Sequence, residues 1–488
     1  MARASGLSFS YKSPDKVDNF PSKSEYLISI SLGEDMKLIL ILMMVLPQVQ
    51  AATIAVIDSG VDVEHKDFHN KIWMNENEVA DNGRDEDGNG YQDDVYGWNF
   101  AENNNKVIDR SYLGTFSKDP YKFFEIQARM FMGESTEADR KWLDLKREDP
   151  NFMKELQKFG NFVHGTHVAG ITLNKNDEGK VLSVKLIPTE IKPATRTARR
   201  MMDVDPSLRE ASDDIRMQLL KAALDKLSEQ QMNMLEEIAY YVSEHKAQVA
   251  NGSFGTGYGQ AKMITDTLFK IFFFRSPSNE ESKEMAIYFI SRLVAHGEDM
   301  VASAPNTLFV FAAGNDGSNN DEYPTSPTNI EADNVISVAA TYKYNFLAPF
   351  SNYGIKKVDV AAPGMLIDSQ IPGDERLLVS GTSQAAPFVA NIAAKVMDIN
   401  PELKPVDVKK IILGTIDAKD FLKGKVKTEG IVNPKRAEVA AQNTLTMTVE
   451  EAIKVSMAEV EDVQTTLKDG FILDANAVTP IALPSMFR

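Results

Sequence analysis

The sequence predicts an α/β protein with a mainly parallel central sheet and helices on both faces. Short, nearly continuous apolar runs at residues 53–57 (Thr-Ile-Ala-Val-Ile), 181–187 and 308–312 read as strands buried on both sides, because a half-exposed strand would alternate apolar and polar residues. Longer stretches between them carry apolar residues at helical spacing, such as Leu235, Ile238 and Val242. The first run ends in Asp58 and Gly60, the way a parallel strand delivers a polar group to the carboxyl edge of such a sheet. Strands alternating with helices need crossover connections, and those give parallel pairing.

With 488 residues, 43% of them hydrophobic, the chain can bury a large core, and one large domain with insertions, or two domains, is expected. The formal charge of −17 provides no basic face for nucleic acid and suits a protein that collects cations. Cysteine is absent, which excludes disulfides, thiol catalysis and cysteine-ligated zinc. Nothing in the sequence fixes an oligomeric state.

Met36 and Lys37 precede nine apolar residues, 38–46, then Pro47 and a Val49-Gln50-Ala51 site ending in a small residue. This is the pattern of a bacterial export signal over residues 36–51, cleaved after Ala51, and it predicts a secreted or periplasmic protein. A membrane anchor fails on length, since spanning needs about 20 apolar residues. Residues 1–35 mix acids and bases without helical or strand period and read as a mis-assigned extension, with translation starting at Met36.

Downstream of Asp58, the run Asp85, Asp87, Asn89 and Tyr91 places oxygens at alternate positions, with Gly90 at the sixth and Asp93 or Asp94 left to close the shell. That spacing is similar to a calcium loop, although Tyr96 stands where a bidentate glutamate would close an EF-hand. The alternative is a solvated acidic turn. Residues 111–160 form a charged insertion with helical spacing (Trp142, Leu145; Phe152, Leu156, Phe159), and His164 is expected to open the next helix. A second polar insertion, 188–232, groups Arg196, Arg199 and Arg200 and then shows a helix through Ile215, Leu219, Ala222 and Leu227; a separate helix is expected at Leu235–Val242. A helical region at 264–303 precedes the strand leading to Gly314 and Asn315. Ser383 follows Gly381-Thr382 and precedes an Ala-rich helical run, where it is expected to cap the helix; a hydroxyl there sits beside unpaired N–H groups at the positive end of the helix dipole.

Five motifs in order, AVIDSG around Asp58, HGTHVAG from His164, ANGSFG at 250–255, AAGN at 312–315 and SGTSQAAP around Ser383, resemble those of the subtilases, the subtilisin-like serine proteases. Softer matches are Tyr323-Pro324, FSNYG at 350–354 and VAAPG at 360–364, and together they cover residues 52–440. The resemblance implies a three-layer subtilisin-like fold and a serine endopeptidase acting on polypeptides through an acyl-enzyme, with no cofactor in the chemistry and calcium as a structural ion. It implies Ser383 as nucleophile, His164 as general base and acid, and Asp58 as the group that orients the imidazole. Asn315 would donate to the oxyanion, and the stretch Asn251, Gly252, Ser253, Phe254 and Gly255, with Gly314, would receive extended substrate, its glycines keeping the surface open. His167, one turn beyond His164, is expected to be a packed neighbour.

The chain departs from the family in three places. Gln384 stands where methionine commonly follows the serine. No propeptide separates the export signal from the Asp58 strand, and residues 441–488 match nothing. The insertions 111–160 and 188–232 are expected to border the cleft and favour flexible polypeptides as substrates. A different class of function, a catalytically silent binding protein on the same fold, would keep the architecture while making the triad incidental.

Overall fold

The computed structural model describes residues 51–190 and 210–466. Strands follow in the order β1 (Thr53–Asp58), β2 (Gly97–Asn99), β3 (Lys180–Lys185), β4 (Val249–Gly252), β5 (Leu308–Ala312), β6 (Val335–Tyr342), β7 (Phe346–Leu347), β8 (Val360–Pro363), β9 (Ile367–Ile371), β10 (Glu375–Val379), β11 (Asp417–Ala418) and β12 (Gly430–Ile431). Interleaved with them are helices α1 (Asp119–Phe131), α2 (Glu137–Arg147), α3 (Pro150–Thr172), α4 (Asp213–Glu244), α5 (Tyr258–Phe273), α6 (Asn279–Ala302), α7 (Thr382–Ile399), α8 (Pro405–Gly414), α9 (Pro434–Asn443) and α10 (Val449–Glu459).

Ten strands form one sheet with the path β11-β12-β8-β6-β5-β4-β1-β3-β2 and β7 paired to β6; β9 and β10 make a separate hairpin. Every pair along the path is parallel except β11 with β12. β1 lies between β3 and β4, with Asp58 opposite Lys185 and Ile57 opposite Gly252. Its residues are buried throughout, yet they still alternate in direction. Ala55 and Ile57 face a core shared with Val184, Phe309 and the α4 residues Leu235, Ile238 and Val242. Ile54 faces the opposite core, with Val310, Ile336 and the α7 residues Ala386, Val389 and Ala393. Helices therefore cover both faces of the predicted parallel sheet.

Three helices differ from the sequence expectation. His164 does not open its helix, because α3 starts at Pro150, capped by the Asp149 side chain on Asn151 N–H, and runs without a break to Thr172. The apolar spacing of Phe152, Leu156 and Phe159 belongs to this same helix, and nothing before His164 stops it. The two helices expected on either side of residue 230 are one 32-residue helix, α4, in which the buried Ser228 satisfies its hydroxyl within the helix by donating to the Asp225 carbonyl at 2.7 Å. Conversely, region 264–303 is two helices, broken where Phe274 adopts a left-handed conformation and a Ser278–Glu281 capping box restarts the chain. Arg196, Arg199 and Arg200 lie outside the described residues, as do 1–50 and 467–488.

The first insertion makes a core of its own. Phe123, Phe124 and Ile126 of α1, Leu143 of α2, and Phe152 and Phe159 of α3 pack with Ile371, Leu377 and Val379 of the β9–β10 hairpin. Beyond residue 440, α10 packs on α9 and α8 with Ala452 and Ser456 buried. Arg436 joins this end to the body through Asp417 and Asp462, each at 2.9 Å.

His167 ties the hairpin to α3. Its Nε2 donates to the Leu377 carbonyl at 3.0 Å, and its own carbonyl accepts from Ser369 Oγ at 2.8 Å. Burial drives its imidazole down to about 3, so the ring is neutral in the folded protein. An unfolded histidine titrates near about 6.5. With the folded value depressed, the stabilisation is complete above about 6.5 and is lost as pH falls from there toward the folded value. Calorimetry across pH 7 to 4 should show a melting temperature that falls less steeply in His167→Gln, whose amide can still donate to Leu377, than in the parent. Equal slopes would remove His167 as a source of acid sensitivity.

Candidate active site

Asp58, His164, Asn315 and Ser383 arrive at the carboxyl edge of the sheet from four elements. Asp58 is the last residue of β1 and fully buried. A carboxylate there must find donors or lose its charge, and Oδ1 takes the Ser59 N–H at 2.7 Å and His164 Nδ1 at 2.7 Å. That contact fixes the histidine tautomer with the proton on Nδ1 and leaves Nε2, on the far side of the ring, as the basic nitrogen.

The helix bearing His164 can approach β1 this closely because residue 165 is glycine. A Cβ on Gly165 would stand 2.3 Å from the Gly60 carbonyl oxygen. Two hydrogen bonds clamp the same contact: Gly165 N–H to Ser59 Oγ at 3.1 Å, and Asp62 N–H to Thr166 Oγ1 at 2.9 Å.

Ser383 is the second residue of α7, whose cap is Gly381 without a side-chain bond, so the expected capping by Ser383 does not occur. Its hydroxyl instead donates to the Ser253 carbonyl at 3.3 Å. Ser253 reciprocates, its own Oγ donating to the Ser383 carbonyl at 2.9 Å. That carbonyl needs an outside donor because Pro387, four residues on, has no N–H to offer.

Asn315 Oδ1 accepts from both Thr382 N and Thr382 Oγ1 at 2.9 Å, which turns the Nδ2 group away from Thr382. A Cβ on Gly381 would stand 2.8 Å from Gln384 Oε1, 3.5 Å from Asn315 Nδ2 and 3.6 Å from Ser383 N. Glycine therefore keeps open a point ringed by amide groups, beside the Ser383 N–H in the first turn of α7. Gln384 is buried there, and its Nε2 has no partner among the described residues. Gly314 has φ of +113° and sits against the Asn352 side chain, so only glycine suits it.

The stretch Asn251, Gly252, Ser253, Phe254 and Gly255 is buried throughout. Gly252 does not keep a surface open, as a Cβ there would stand 2.6 Å from the Phe311 ring. Asn251 Nδ2 donates to Ser253 Oγ at 2.9 Å. Thr256 pairs with Ser326, while Phe254 and Gly255 make no backbone hydrogen bond within the described residues.

The acidic loop folds on itself. Asp85 accepts from the N–H groups of Gly88, Asn89 and Gly90 at 2.7–3.1 Å. Ligand atoms of Glu78, Asp85 and Asp87 lie within 4.8 Å of one another, as do those of Asp87, Asp94 and His245. Of the other expected ligands, Asp93 turns to Asn82 and Gly83 N–H, the Tyr91 hydroxyl reaches Glu237, and Asn89 Oδ1 accepts from Tyr91 N–H. Asp94 serves chiefly as an anchor, accepting from Asn75, Asn89 and the Tyr241 hydroxyl. Burial pushes its carboxyl up, but bonds from His245, Asn75 and Tyr241 outweigh this and hold it below the usual range. Sequence spacing missed Glu78, whose carboxylate accepts the Glu86, Asp87 and Asp93 N–H groups.

The subtilase family model matches residues 50–439. Among curated relatives, the cell wall-associated protease of Bacillus subtilis (strain 168) is 40% identical over 116 residues, 24% of this chain and 12% of that protein. Subtilisin-like protease 1 of Plasmodium falciparum (isolate 3D7) is 26% identical over 398 residues, 80% of this chain and 44% of that protein. The chain thus matches less than half the length of either relative. A cold-adapted subtilisin-like serine proteinase of known structure aligns with 77% of this chain and 87% of its own at a TM-score of 0.42 and 17% identity. With the family match running from the residue before Ala51 through most of α9, this chain belongs to the subtilase family of subtilisin-like serine proteases.

Proposed function

We propose that the chain is an exported serine endopeptidase that hydrolyses polypeptides through an acyl-enzyme on Ser383. The observation that carries this reading is the Asp58–His164 pair at 2.7 Å, standing at the same sheet edge as the Ser383 hydroxyl and the Asn315 amide. For attack, the Ser383 hydroxyl leaves the Ser253 carbonyl and gives its proton to His164 Nε2 as its oxygen bonds the substrate carbonyl carbon. The oxyanion then accepts from Ser383 N–H and Asn315 Nδ2. His164 passes the proton to the departing amine, and water repeats the sequence in reverse to free the acid. Asp58 stabilises the imidazolium throughout. The unpaired backbone of Phe254 and Gly255 is the edge on which an extended substrate adds as a strand.

Export rests on residues 36–51, and no helix among the described residues is long and apolar enough to cross a membrane. The net charge favours polypeptide over nucleic acid as partner. For calcium, Glu78, Asp85 and Asp87 supply hard oxygen ligands close enough to share one ion of the size calcium requires. The ion would brace the loop and take no part in the chemistry. A catalytically silent binding protein is the second reading, favoured by the resting Ser383 contact with Ser253.

Organophosphonate labelling separates these readings. Ser383→Ala should lose both labelling and peptide hydrolysis with its melting temperature nearly unchanged. Asn315→Ala should lower kcat by about 100-fold to 1000-fold, the range known for one such donor in subtilisin. An unlabelled parent, or hydrolysis that persists in Ser383→Ala, overturns the endopeptidase reading.

Calcium at a hundredfold excess over its Kd should stabilise the folded chain by about 2.7 kcal/mol. Chelation should therefore lower the melting temperature and speed self-digestion. Asp87→Ala, or the milder Glu78→Gln, should do the same and abolish the response to chelator. A melting temperature indifferent to both leaves the loop as a self-bonded turn.

A further inference from the structure

Ala52 is buried, and its backbone nitrogen lies 2.6 Å from Asp398 Oδ1. The rest of this corner is already satisfied: the Ala52 carbonyl accepts from Lys180 N–H at 3.2 Å, and Thr53 N–H donates to Gln248 Oε1 at 2.8 Å. Asp398 stands in the last turn of α7, which carries no basic residue. A carboxylate at that end faces the negative pole of the helix. Lys395 and Glu178 are its charged neighbours, and no side-chain ion pair to Asp398 forms among the described residues.

We propose that the amine freed by cleavage after Ala51 docks on Asp398 as an ammonium, making this corner a receptor site for the processed N-terminus. The inference rests on the reading of residues 36–51 as an export signal. Hydrolysis of the Ala51–Ala52 bond by an export-signal peptidase adds water, leaving a carboxylate on Ala51 and an amine on Ala52 that takes up a proton at neutral pH. A neutral N–H bonded to a half-buried carboxylate becomes a charge-assisted pair in the same place, and the new positive charge also answers the helix pole. Because Ala52 is buried with both backbone groups in use, the cut must precede completion of the fold.

The site is placed to matter for catalysis. β1 begins at Thr53 and ends on Asp58; α7 begins at Thr382, next to Ser383, and ends one residue beyond Asp398. The pair therefore fastens the tails of the two elements whose heads carry the triad carboxylate and the nucleophile.

The test uses chains running to Arg488 and beginning at Gln50, Ala51, Ala52 or Thr53, released from a cleavable fusion partner in the Ser383→Ala background to prevent self-digestion. The chain beginning at Ala52 should melt highest, by on the order of 2 °C over its neighbours, because one residue more or less moves the amine by about 3.8 Å. N-acetylation of that chain should remove the gain, and Asp398→Asn should make the four starts equivalent. If the Asp398 variant does not fold, acetylation alone decides. A flat series, or a gain that survives acetylation, overturns the docking site. Mass spectrometry of the exported full-length chain should find Ala52 first; any other first residue overturns the processing step independently of the melting series.

Discussion

A carboxylate buried at the end of the central strand obliges its surroundings to supply donors, and much of the molecule's geometry follows from that demand. Asp58 Oδ1 is satisfied by Ser59 N–H and His164 Nδ1. The second donor must come from a helix, so that helix has to sit within backbone contact of the β1 turn, which only glycine at 165 allows. Once α3 is fixed there, His167 one turn on reaches the Leu377 carbonyl and draws the β9–β10 hairpin in. The hairpin leads straight into Ser380-Gly381 and the nucleophile helix. A single electrostatic constraint is in this way carried from Asp58 to Ser383 through one helix and one hairpin.

The start of α7 shows a second economy. Proline at 387 leaves the Ser383 carbonyl without its helical donor, a loss of about 1–3 kcal/mol if left buried and unmade. Ser253 fills it with a hydroxyl, and the same residue's carbonyl holds the Ser383 hydroxyl. The exchange pins α7 to the end of β4 by both ends of one residue. It also explains why Ser253 is buried although it belongs to a stretch that the sequence marks as a substrate edge.

Which parts of this were legible beforehand follows from how local each feature is. β1, β5 and the Ala-Gly-Asn turn could be read because a buried parallel strand announces itself by its own composition and the turn by its glycine. The start of α3 could not, since motif reading fastened on His164 while the Asp149-Pro150 start lies upstream. The continuity of α4 was hidden by the polar run Ser228-Glu229-Gln230-Gln231, in which Ser228 is buried by donating its hydroxyl to the Asp225 carbonyl of the same helix, a contact no apolar period signals. Glu78 and His245 were invisible because their contacts with the acidic loop depend on chain reversals that no spacing rule encodes. The reciprocal bonds of Ser253 and Ser383 likewise join residues 130 positions apart.

The acidic loop is more than an isolated turn, and its anchor shows how it could bear on the cleft. Asp94 is fully buried and bonded to the Tyr241 hydroxyl, while His245 Nε2 lies 3.5 Å from the same carboxylate. Burial works against a charge on His245, but Asp94 and the Tyr241 carbonyl outweigh it and raise the imidazole above its ordinary value. The loop is thus fastened to the end of α4 by the Tyr241 hydrogen bond and the His245 contact in dry surroundings, where removing one partner leaves Asp94 buried with fewer donors. From that turn the chain passes through Lys246 in a left-handed conformation directly into β4, the strand that ends beside Ser253. Displacement of the loop would be felt first at the α4 terminus and next in β4, so the loop bears on the stretch that holds the nucleophile's resting contact.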